Sequence, residues 1–110
     1  MKYNIPKSLQ VGGQDIKVSF EDRLDNDCFG LSSISGGYIK IARNPKGVEQ
    51  SESSILNTFI HECVHTILDS MGEYDLSSNE VFVSSFTGFA TELIKSLKYD
   101  DWISNTKNRY

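Results

Sequence analysis

Both histidines of this 110-residue chain fall in one short stretch, FIHECVHTILDSMGEY, residues 59–74, as His61 and His65 with Glu62 beside the first. Residues four apart on a helix lie on one face, about 6 Å apart along the axis. Two imidazoles so placed can converge on one metal at about 2.0–2.1 Å per zinc–nitrogen bond. Glu62 is turned about 100° round the helix from His61. It is too far round to share the metal but well placed to accept a proton from a water that the metal polarises, which is the chemistry of metal-assisted hydrolysis. With only two histidines and seven glutamates in the chain, chance is a poor explanation of the spacing.

A catalytic zinc takes three protein ligands and keeps one position open. No third histidine exists, and the chain does not continue as H-E-x-x-H-x-x-G-x-x-H, so the remaining ligand is a carboxylate or Cys28. Glu80 is the choice. It opens a second predicted helix, at the margin of its apolar arc, on a stripe with Ser84, Thr87 and Thr91 whose small side chains let the first helix come close. A rival role competes for the same carboxylate: Ser77-x-x-Glu80 reads as a capping box. Glu73 and Asp75, in the connecting turn, stay open as ligands. Asp69, one turn beyond His65, is expected to orient that histidine rather than bind metal. A donor for a developing oxyanion would be Tyr38 or Tyr74, with nothing in the sequence to select one.

The elements that must hold these residues follow from periodicity. Ser51 or Ser53 caps the first helix and Gly72 stops it. Leu56, Phe59, Ile60, Cys63, Val64, Ile67, Leu68 and Met71 fill one apolar arc, with both histidines just past its edge. The second helix starts from Ser77 and presents Phe82, Phe86, Phe89, Ala90, Leu93, Ile94 and Leu97 as its core face. Upstream, DIKVSFED alternates as a half-buried strand, with Ser8–Val11 as partner across Gly12-Gly13. Phe29–Ser33 and Tyr38–Ala42 read as a hairpin, and Pro45 ends the sheet. Trp102 is expected to pack back on the body. The expected fold class is α+β: a small antiparallel sheet, then the histidine-bearing helix, then the Glu80 helix, in one domain spanning residues 1–110.

Composition excludes other classes. A net charge of −4 with scattered basic residues argues against nucleic acid as the main partner. No segment approaches a membrane span, and MKYNIPKSLQVGG lacks the apolar core of a secretory signal, so a cytoplasmic protein with two free thiols, Cys28 and Cys63, is expected.

HECVH followed by a second helix bearing Asn79-Glu80 resembles the zincin metallopeptidases, specifically their His-His-Glu (gluzincin) branch. The layout is similar to small phage- and prophage-type metallopeptidases and to the ImmA/IrrE-type proteins. The motif-level match covers residues 53–97. The resemblance implies a zinc peptidase with His61, His65 and Glu80 as ligands and Glu62 as general base. It departs at Ser84, which stands where the larger gluzincins carry an aspartate. It also implies a peptide or protein substrate lying along an edge strand, for which Tyr38–Ala42, the last strand before the histidine helix, is the candidate. The alternative expectation is a zinc-containing, catalytically weak peptide- or protein-binding module of phage or mobile-element origin.

Overall fold

The computed structural model describes residues 4–97; the expectation for Trp102 lies outside the described residues. The fold is α+β. Four strands, β1 (Ser8–Val11), β2 (Gln14–Glu21), β3 (Gly30–Ser33) and β4 (Tyr38–Ala42), precede three helices, α1 (Glu52–Ser70), α2 (Tyr74–Ser77) and α3 (Glu80–Ser96).

The sheet is mixed, not antiparallel throughout. Its order is β1-β2-β4-β3. The two hairpins are antiparallel as expected, but β2 and β4 run parallel, with Val18 opposite Ile39 and Phe20 opposite Ile41. The physical reason lies in the strands' contents. β4 carries Ile39, Ile41 and Ala42, all fully buried, and takes a central position. β3 reads GLSS, has little to bury, and goes to the edge. Tyr38–Ala42 is therefore paired on both sides and is not an edge strand; the edge beside the helices is Gly30–Ser33.

One face of the sheet packs on α1 through Ile16, Val18, Ile39, Ile41 and Ile55. A buried Gln50 fixes where α1 begins. Its amide donates to the Ala42 carbonyl at the end of β4 (2.6 Å), and its oxygen accepts from Ser54 (2.6 Å) and Thr58 (3.0 Å) in the first turns of α1. Ser51 is the N-cap, accepting from the Ser54 N–H. The helix stops at Gly72, whose φ of 78° is costly for any residue with a Cβ.

The start of α3 differs from expectation. Its N-cap is Asn79, whose side chain accepts from the Phe82 N–H at 3.1 Å. Ser77 belongs to the one-turn α2, and no capping box forms, because Glu80 is the first helical residue rather than the third. The buried face of α3 is also displaced. Val83, Thr87 and Thr91 are buried against α1, while Phe86, Phe89, Leu93, Ile94 and Leu97, expected in the core, are exposed. On α1, Ile67 and Met71 are likewise exposed. Small side chains allow the closer helix approach, so the valine–threonine stripe makes the contact and the bulky arc is left outside.

Asn79→Ala is expected to destabilise the protein by about 1 kcal/mol, the usual worth of an N-cap. Urea unfolding followed by circular dichroism measures it. Ser51→Ala should behave alike.

Candidate metal centre

α1 is held on two flanks, and the site lies in the wedge between them. On one flank α3 presses through Val83, which clusters with Val64 and Leu68. On the other lies β3. Gly30 is a point of close approach: a Cβ added there would come within 2.7 Å of the Thr58 methyl, closer than side chains pack without a shift, and a tight 3.0 Å from Glu62 Cγ. Only glycine lets the edge strand lie this close to the helix.

In that wedge His61, His65 and Glu80 come together. His61 Nε2 is 3.5 Å from one Glu80 carboxylate oxygen and His65 Nε2 is 3.3 Å from the other. The two rings are 4.9 Å apart between centroids, inclined at 65°. The three ligand atoms lie within 4.8 Å of one another. A tetrahedron with bonds of about 2.0–2.1 Å has edges of roughly 3.4 Å; here each histidine faces a different oxygen of Glu80, so closing on one ion takes a small adjustment of the side chains. This group can hold a metal ion. Glu80 sits across the wedge on the first turn of α3, and its carboxylate is also favoured there by the positive end of the helix dipole.

The structure brings the three candidate ligands together and adds a residue that orients one of them. His65 Nδ1 is 3.0 Å from the hydroxyl of Ser77, a buried residue. With Nδ1 engaged there, Nε2 is the nitrogen turned toward Glu80. Asp69, expected in that role, lines the same hollow but makes no hydrogen bond to His65 among the described residues. Glu73 and Asp75 stay outside the group. Ser77 carried a signal in the sequence, but it was read as a helix cap.

Glu62 is nearly fully buried, with 7% of its surface exposed. The edge strand β3 covers the side of α1 on which Glu62 lies. Burial pushes its carboxyl above the ordinary range. The Ser32 hydroxyl on β3 and the two nearby histidines oppose that rise, and the Glu80 charge adds to it. Two adjoining hollows share Gly30, His61 and Glu62. One, of about 320 Å³, includes Leu31, Ser32, His65, Asp69 and Glu80. The other, of about 360 Å³, includes Cys28, Phe29, Asn57 and Thr58. Asn57 had a legible signal, four residues before His61 on the same helix. Neither Tyr38 nor Tyr74 lines either hollow. Both cysteines are free. Burial pushes the Cys63 thiol up to about 12, and Cys28 lies outside the ligand group.

No protein-family profile, no curated protein and no solved structure matches the chain. Among the described residues no helix is long and apolar enough to cross a membrane.

Two outcomes are expected. First, His61→Ala or His65→Ala is expected to abolish the uptake of an added divalent metal ion, zinc being the probe, read by elemental mass spectrometry. Ser77→Ala weakens zinc binding by about 10- to 100-fold, read by competition with a chelating dye; an unchanged affinity removes Ser77 from the site. Second, a carboxyl raised in the folded state stabilises the fold less as pH climbs from 4.5, its ordinary value, through the raised one. Metal-free Glu62→Gln should therefore melt above metal-free wild type at pH 7, with the gain vanishing below about pH 4. Equal melting temperatures at both pH values would show that Glu62 is not strained by burial.

Proposed function

We propose that the chain is a zinc-dependent peptidase acting on an extended peptide. The observation that carries the reading is that His61, His65 and Glu80 converge at metal-ligand spacing while Glu62, beside them, stays outside the ligand set. A structural zinc site has no use for that extra buried carboxylate. Zinc held by the three residues would supply Lewis acidity, polarising a substrate carbonyl and lowering the pKa of water. The donor set of two imidazoles and one carboxylate suits zinc.

The chain's own residues divide the remaining work. Glu62 takes and returns the proton as general base, the role open to a carboxylate beside the metal but outside its ligand set. Ser77 keeps Nε2 of His65 turned inward. Ser32 steadies Glu62 from the strand side. The open edge of β3 offers backbone N–H and C=O groups along the hollows, so a peptide can add there as a further strand. This replaces Tyr38–Ala42 as the docking strand.

One observation favours the second reading, a zinc-containing binding module with weak catalysis. Among the described residues no tyrosine, lysine or arginine lines either hollow, so of these residues only backbone groups or Asn57 would be left for oxyanion stabilisation beyond the metal.

Glu62→Gln decides between them. A peptidase loses at least about 100-fold in turnover of an unstructured protein substrate while retaining zinc, as expected for removal of a general base. If neither wild type nor variant cleaves and both bind peptide equally, the binding-module reading stands instead.

A further inference from the structure

The exposed face of α3 is the largest feature that the metal centre does not use. Phe89 is 76% exposed, Leu93 62%, Phe86 53% and Leu97 47%. At about 150–200 Å² for a whole large apolar side chain, the exposed parts of these four residues come to roughly 400 Å² on one side of the helix. The face continues across a groove of about 210 Å³ onto α1, lined by Val64, Ile67, Leu68, Met71, Phe82 and Phe86. Adding exposed Ile67 and Met71 brings the apolar area to roughly 600 Å² per chain, enough for the apolar part of an interface of about 800 Å² on each partner.

Spacing and charge indicate the occupant. Phe82, Phe86, Phe89 and Leu93 recur at intervals of four, three and four, the seam of a helix that pairs with another helix. Residues 81–91, VFVSSFTGFAT, contain no charged side chain, so two copies of this face meet without repulsion. We propose that the face is a two-fold interface with a second copy of this chain, the α3 helices crossing antiparallel. That direction pairs Phe86 of one copy with Phe89 of the other and Phe82 with Leu93, using all four seam residues twice. It keeps the two Glu92 carboxylates apart and sets the helix dipoles in opposition. With α1 beside each α3, the dimer has four helices at its centre. The proposal stands apart from the metal centre, on a different flank of α1.

Sedimentation equilibrium of the full chain tests it. Wild type should weigh twice the 12.4 kDa chain mass, with a dissociation constant on the order of micromolar or tighter. Phe89→Glu and Leu93→Glu, both at exposed positions, should each weaken association on the order of 100-fold while keeping the circular dichroism of wild type. The chief rival occupant is the chain's own segment 98–110, whose Trp102 is the only tryptophan. A monomeric wild type overturns the proposal. If its tryptophan emission also shifts to the red in Phe89→Glu, the segment covers the face instead. A dimer unaffected by either variant overturns the proposed interface.

Discussion

The close approach of α1 to its two neighbours is the constraint on which the site rests. A pair of histidines at i and i+4 defines only a direction. It becomes part of a group that could hold a metal ion because α3 brings a carboxylate to within 3.3–3.5 Å of both Nε2 atoms. That distance depends on Val83, Thr87 and Thr91, which let the helices touch where larger residues would hold them apart. On the opposite flank Gly30 performs the same service for β3. One helix is thus gripped from both sides by residues chosen for smallness, and the polar groups of the site lie in the gap.

The same packing explains the electrostatics. A solvated glutamate would be an ordinary carboxylate. Beneath the edge strand, burial pushes the carboxyl of Glu62 above the ordinary range, and Ser32 and the histidines oppose that rise. Burial is tolerable because the site supplies compensating partners. His65 is similarly fixed by Ser77, whose burial on α2 leaves its hydroxyl little choice of partner. The one-turn α2 therefore serves the site and not merely the chain reversal.

Close packing through small residues has a second effect. Turning the valine–threonine stripe inward forces the phenylalanines of α3 outward. The apolar arc that would normally mark a core face is left on the surface, together with Ile67 and Met71 of α1. The metal centre and the apolar seam are thus two results of one helix orientation.

How much was legible in the sequence follows from these particulars. Local order was: the strands, the start of α1 at Ser51 and its end at Gly72 depend on neighbours within a few residues. The candidate ligands were legible too, because an i, i+4 pair and a carboxylate near a helix start are also local patterns. Three things were decided only by tertiary structure. The parallel pairing of β2 with β4 follows from which strand has most to bury, a comparison among strands far apart in sequence. The roles of Ser77 and Gly30 depend on elements that meet only when folded. The outward turn of the α3 arc reversed a periodicity argument, since the hydrophobic pattern marks an apolar face but does not say which surface will cover it. By itself the sequence determined which side chains were available for chemistry. Folding decided which of them share a cleft and which face solvent, because those outcomes are set by how closely distant backbones can approach.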